Sequence, residues 1–149
     1  MVKVLIKKLN PAVKLPEYKT GGASGMDLIA FIKEPITVKP KTSSLIPSGL
    51  AVAFSEDFEI QIRPRSGLAV KNNVSVLNSP GTIDSDYRGE IKVIIYNHGS
   101  EDFIINNGDR IAQMILSPVT KMELEETLDL PKTIRGMGGF GSTGKWSQS

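Results

Sequence analysis

The chain has 149 residues, 40% apolar and 23% charged, the proportions of one soluble globular domain with enough length to bury a core. It has no cysteine, which excludes disulfide frameworks, zinc knuckles, iron–sulfur sites and thiol nucleophiles, and its one histidine, His98, excludes His-rich metal sites and leaves a Ser-His-Asp triad resting on one residue. A net charge of +2 is too small for a footprint on long nucleic acid, and no apolar run approaches the roughly 20 residues that span a bilayer, so the chain reads as a cytoplasmic protein that does not engage a membrane.

Val2, Val4 and Ile6 alternate with polar residues and predict an N-terminal strand; Phe58, Ile60 and Ile62 predict another. Gly67 to Asn73 suits one short helix. The clearest strand is Ile91 to Tyr96, stopped on one side by Arg88-Gly89 and on the other by Asn97-His98-Gly99. Phe103 with Ile105, and the run Arg110 to Leu116, predict two strands joined as a hairpin through Asn106-Asn107-Gly108-Asp109. Residues 119–130 mix two periods, and the alternation of Met122 and Leu124 favours a strand first, then loop. Nine prolines and fourteen glycines leave little room for long helices, so the class is all-β: a sandwich, jelly roll or barrel, without repeats or an internal linker. Gly136 to Ser149 has five glycines and three serines and reads as a flexible arm, ordered only over a ligand or a neighbouring subunit.

The chain carries thirteen lysines but five arginines, at positions 63, 65, 88, 110 and 135, each in a turn-rich segment. A guanidinium fork binds phosphate or carboxylate bidentately, so this usage suits anion recognition; ordinary surface pairing, such as Arg110 with Asp109, is the alternative. Gly139, Gly141 and Gly144 satisfy a G-x-G-x-x-G pattern, and Gly144-Lys145 part of a P-loop, yet no strand and helix flank them and Trp146 stands where the P-loop needs Ser or Thr. Successive glycines with Ser142 and Thr143 can still offer donors to an anion, with Phe140 as a stacking plate or a tail anchor. Asp84-Ser85-Asp86-Tyr87-Arg88-Gly89 places two carboxylates before the most apolar strand, where one could act as general base on a water; the same residues suit a plain turn.

Five segments in order resemble the motifs of the trimeric deoxyuridine triphosphatase (dUTPase) family: Ala23 to Leu28, Arg63 to Ala69, Asn78 to Gly89, Gly108 to Met114, and Arg135 to Gly144. All five arginines fall within them. Met137 stands where the family often has an acidic residue, and Ser79 where it often has Ala.

The resemblance implies a homotrimer of distorted jelly-roll, β-barrel-like subunits with one short helix. Residues 1–134 would form a single β domain, and residues 135–149 a Gly-rich arm over the active site of a neighbouring subunit. It implies hydrolysis of dUTP to dUMP and pyrophosphate by in-line attack of water on the α-phosphorus, with Asp84 as the base. Asn78 and the backbone of Gly81, Thr82 and Ile83 would read uracil, Tyr87 would pack beneath the deoxyribose, and Lys92 would add a substrate contact. Arg65, Ser66, Gly67 and Gln113 would grip the phosphates. Arg135, Gly141, Ser142 and Thr143 would close on their far end while Phe140 caps the base. The implied cofactor is Mg²⁺, held chiefly by the triphosphate and reached by Asp27 through water. Asp86 and Arg110 are expected to be supporting residues. The nearest rivals are a dCTP deaminase, whose glutamate segment has no match here, and a non-catalytic trimeric β domain, which would be expected to lack Asp84 or the arm.

Overall fold

A computed structural model describes residues 1–145; Trp146, at the P-loop position above, lies outside the described residues, as does the rest of the expected arm beyond Lys145. The described chain is built from eleven short strands and one helix: β1 (Leu5–Lys8), β2 (Met26–Ile29), β3 (Ile36–Val38), β4 (Ser43–Pro47), β5 (Leu50–Ala53), β6 (Phe58–Arg63), α1 (Ser66–Asn72), β7 (Val74–Val76), β8 (Gly81–Ile83), β9 (Lys92–Asn97), β10 (Phe103–Ile105) and β11 (Arg110–Pro118). They form four antiparallel sheets, ordered β1-β5, β10-β3, β2-β11-β6-β8 and β4-β9-β7. Neighbours in a sheet are distant in sequence, as in a jelly roll, and the sheets do not close into a barrel.

The core is aliphatic. Leu28, Ile46, Ile91, Ile95, Ile105 and Ile111 are completely buried, each contributing about 1.5–3 kcal/mol of burial. The two buried polar residues brace it. Asn97 donates to the carbonyls of Val38 at 2.9 Å and Glu101 at 2.7 Å and accepts from Gly99 N–H at 2.9 Å, fastening the end of β9 to β3. Ser48 donates to the carbonyl of Ile91 and so ties the β4–β5 turn to the start of β9.

The helix spans Ser66–Asn72 within a residue of expectation and ends at Asn73, whose left-handed φ of 54° lets its N–H reach Ala69 O. The 58–62, 91–96 and 103–105 strands also stand where alternation put them. The N-terminal strand is displaced, since β1 runs Leu5–Lys8 and of Val2, Val4 and Ile6 holds only Ile6. Two further expectations fail. The 103–116 hairpin does not form: β10 pairs with β3, while β11 pairs with β2 and β6. The 106–109 turn is instead held by the segment after β2, with Gly108 N–H donating to Ala30 O, Ala30 N–H to Asp109 O, and Ile32 N–H to Asn107 Oδ1. These bonds steer the chain out of one sheet and into another. The strand expected to begin the 119–130 segment is likewise absent. Val119 N–H donates to Asp57 O, after which the chain leaves the sheets and Met122, Leu124, Leu128 and Leu130 stand exposed, with no strand among the described residues beside them to fix the alternation.

Candidate active site

Strand β8 is an edge strand, paired to β6 through Ile83↔Ile60 and Gly81↔Ile62, and it delivers Asp84 at its end. The turn that follows closes when Tyr87 N–H donates to Asp84 O at 3.1 Å. The Tyr87 ring then folds back over Gly89 and its hydroxyl donates to Glu90 O at 2.9 Å. A Cβ on Gly89 would lie 2.3 Å from that hydroxyl, so only glycine admits the ring. Thr82, Ile83, Asp84, Tyr87 and Lys92 thereby line one open pocket of about 440 Å³, together with Leu45, Glu90 and Ile94. Asn78 is not on its wall; its side-chain amide covers Gly81, where a Cβ would come within 3.2 Å of Nδ2. Asp84 also borders a second depression with Glu56, Glu59, Asp86, Arg88 and Lys121. There the hydrogen bond to Glu56 holds the Lys121 pKa above its usual value, aided by the charge on Glu56.

The first, second and fourth sequence segments meet elsewhere. The β2–β11 and β11–β6 ladders align Asp27, Gln113 and Arg63 in one row. Asp27 Oδ1 lies 3.0 Å from Arg65 Nε, and Oδ2 lies 3.3 Å from Arg110 Nη1. Arg65 also donates to Arg110 O at 3.2 Å, and Gln113 donates to Pro64 O at 3.0 Å. Arg110 thus pairs with Asp27 and not with Asp109, whose carboxylate accepts from Asn106 N–H. Ser66 and Gly67 open α1 and are exposed, and the N-cap Arg65 makes no side-chain capping bond.

Asp27 is a shared counter-ion, and its side chain is 20% exposed against 25% for Arg65 and 52% for Arg110. Replacing it with Ala leaves the partly sheltered Arg65 without its partner, while the Arg110 contact is largely screened by water. The expected cost is about 1–2 kcal/mol, seen as a fall of about 2–8 °C in the thermal unfolding midpoint. An unchanged midpoint would show that the cluster adds nothing to the fold.

These two groups do not converge within a protomer. From Ile83, Asp27 lies three strand spacings across the β2-β11-β6-β8 sheet and three residues along β6, a separation on the order of 20 Å. The described residues Arg135, Phe140, Ser142 and Thr143 stand apart from both groups. Arg135 Nε donates to Gly138 O at 2.8 Å, Ser142 and Thr143 are exposed, and Phe140, at φ 50° ahead of Gly141, is wholly exposed. His98 lies outside both groups, bonded through Nε2 to Ser75 Oγ at 2.7 Å and packed edge-on to Tyr96.

Among the described residues no group of three or more His, Cys, Asp or Glu could cage a metal, and both Asp27 oxygens already face guanidiniums. Any Mg²⁺ here would therefore have to rest chiefly on a ligand's own oxygens and on water, with Asp27 as the nearby carboxylate. Leu45, Glu90, Ile94 and the Asp27–Arg110 pair are the site features that sequence reasoning missed. Leu45 carries no local signal, whereas Glu90 could have been noticed beside Tyr87 and Gly89.

The family profile for dUTPase matches residues 12–144, and the chain belongs to the dUTPase family. It is 58% identical over 145 residues to the deoxyuridine 5'-triphosphate nucleotidohydrolase of Rickettsia rickettsii (strain Sheila Smith), covering 97% of this chain and 98% of that one. The same enzyme of Rickettsia bellii (strain OSU 85-389) is 56% identical, with 97% of each covered. In fold, the chain is similar to Staphylococcus bacteriophage 80alpha dUTPase solved with dUpNHpp, at a TM-score of 0.81, 23% identity and coverage of 95% of this chain and 98% of that one. It is also similar to a mutant dUTPase from phage phi11 of S. aureus that coordinates a structural Mg(II) ion, at a TM-score of 0.78, 20% identity and coverage of 87% and 99%. Among the described residues no helix is long and apolar enough to cross a membrane.

Proposed function

We propose that this protein is a dUTP diphosphatase, hydrolysing dUTP to dUMP and pyrophosphate, which keeps uracil out of DNA and supplies dUMP for thymidylate synthesis. The observation that carries this reading is the pocket at the end of β8, where Asp84 stands beside Tyr87, Thr82 and Lys92 in a chain of the dUTPase family. Asp84 accepts a proton from a water aimed in line at the α-phosphorus, opposite the pyrophosphate leaving group. Asn78 and the main chain of Gly81, Thr82 and Ile83 pair with the uracil edge; cytosine would set donor against donor and leave buried groups unpaired. The Tyr87 ring, fixed against Gly89, lies beneath the deoxyribose and fills the space a 2′-hydroxyl needs. Lys92 contributes a further substrate contact.

The phosphates require the other cluster. Arg65, Ser66, Gly67 and Gln113 grip them, with Arg65 aimed by Asp27 and Arg110 behind it. The separation of about 20 Å between this cluster and Asp84 supports an active site assembled from several copies of the chain. In the homotrimer, one subunit supplies the Asn78–Gly89 segment and the next supplies Arg65 to Gly67 and Gln113. The third supplies residues 135–149 as an arm beyond the 1–134 domain. The exposure of Phe140 and of the whole 120–137 stretch fits a segment that packs on another copy. On the bound nucleotide, Arg135, Gly141, Ser142 and Thr143 close over the phosphates and Phe140 covers the base. A Mg²⁺ ion on the triphosphate would offset charge on its oxygens, and Asp27 would be the residue that meets it, through water. The protein works in the cytoplasm on the free nucleotide pool.

The direct test incubates purified protein and Mg²⁺ with dUTP, dCTP, dTTP and UTP separately and follows pyrophosphate, orthophosphate and ammonia. Pyrophosphate from dUTP alone is expected. Ammonia from dCTP would place the protein among the deaminases, and no product from any nucleotide would leave only a binding role.

A further inference from the structure

Glu90 lines the nucleoside pocket without a part in the reaction described above, yet three contacts converge on it. Its Oε1 accepts from Gly49 N–H at 2.9 Å, its main-chain oxygen accepts from the Tyr87 hydroxyl at 2.9 Å, and its Oε2 stands 3.9 Å from Lys92 Nζ. The last distance is too long for a hydrogen bond and leaves a loose attraction between charges. The first two are firm, and they act on opposite sides of one residue.

The Gly49 end is immobile. Gly49 has φ 70°, and a Cβ there would lie 2.5 Å from Val13 Cγ2. The turn around it is clamped by Ser48 N–H to Ile91 O at 3.2 Å and Ile91 N–H to Leu50 O at 2.8 Å, beside the wholly buried Ile91. The other end is the exposed 84–88 turn, which carries Asp84 and Tyr87. We propose that Glu90 is a positioning residue: its carboxylate moors the Tyr87 turn to the β4–β5 turn and thereby sets where the Tyr87 ring sits under the sugar. The 24% exposure of the Glu90 side chain shelters the bond from water, so the mooring depends on an acceptor oxygen held at the right reach more than on its charge. The Glu90–Ile91 peptide keeps its anchor at Ile91 N–H to Leu50 O, but without the carboxylate bond it can pivot about that single anchor, so the main-chain oxygen that holds the Tyr87 hydroxyl tilts and the ring tilts with it.

This inference rests on the reading of the protein as a dUTP diphosphatase, and the experiment separates the two. Wild-type protein that releases no pyrophosphate from dUTP would sink the functional reading whatever Glu90 does. With activity in hand, KM and kcat are measured for dUTP and UTP in wild type, Glu90→Gln and Glu90→Asp. Gln keeps the length and an acceptor oxygen for Gly49 N–H while losing the charge. Asp keeps the charge and withdraws it by one methylene. Glu90→Gln is expected to hold the dUTP KM within about threefold of wild type. Glu90→Asp is expected to raise it about tenfold, with kcat changed less than about threefold and the preference for dUTP over UTP narrowed. A dUTP KM within twofold of wild type for Glu90→Asp would overturn the proposal. So would Gln being the more impaired of the two, or equal losses on dUTP and UTP arising in kcat.

Discussion

Asp84→Asn should lower kcat for dUTP by about 10²–10⁴-fold while leaving the affinity for a non-hydrolysable analogue such as dUpNHpp nearly unchanged. The amide matches the carboxylate in shape, so the pocket formed by Thr82, Ile83, Tyr87 and Lys92 keeps its walls, and only the proton acceptor is lost. The turn does not depend on the side chain either, since Tyr87 N–H bonds the Asp84 main-chain oxygen. A loss confined to kcat is the signature of an interaction made only in the transition state. Single-turnover kinetics with calorimetric titration of the analogue separates the two quantities. A fall of less than about 100-fold would remove Asp84 from the role of base.

How far the sequence reaches depends on whether a feature is local. Alternation located β6, β9 and β10, and a Gly-containing turn-to-Asn window located α1, because each depends on neighbours within one element. Strands β3, β7 and β8 have three residues each, as β10 does, but lack a turn run beside them like the Asn106-Asn107-Gly108-Asp109 that marks β10 off. Pairing failed at Asn106-Asn107-Gly108-Asp109: the residues are those of a hairpin turn, but their hydrogen bonds go to Ala30 and Ile32 from another part of the chain. The site divides the same way. The family motifs brought Asp84, Tyr87, Arg65 and Gln113 forward, and their order could not say that Asp27 would be shared by Arg65 and Arg110, a meeting made by the register of β2 on β11. Nor could it show Glu90 reaching Gly49 across 41 positions of sequence. Residues 119–130 show a limit of another kind. Met122 and Leu124 alternate with polar residues as a strand would, yet both stand exposed and among the described residues no strand forms there, so a short alternation without a partner does not make a strand.

Deleting residues 135–149 should leave a folded, assembled protein that has lost about 10²–10³-fold in kcat/KM for dUTP. The β core ends before the cut: its buried residues all lie between Val13 and Ile115, and every residue from 120 to 137 is exposed. Among the described residues the cut therefore takes away no apolar burial, and the thermal midpoint should stay within about 2 °C of the full chain. On the proposed reading, what goes is the set of donors that Arg135, Gly141, Ser142 and Thr143 would bring to the phosphates, and the Phe140 ring that would keep water from the base. The loss of one such preorganised donor ordinarily costs about 10²–10³-fold. Single changes should divide the effect: Arg135→Ala would act mainly on the phosphate end, and Phe140→Ala mainly on the affinity for the nucleoside. Light scattering on the truncated chain, run beside its kinetics, decides what the arm is for. An inactive chain of unchanged mass gives the arm a role in covering the nucleotide, whereas a chain that falls to monomers makes it part of the assembly and overturns this account of it.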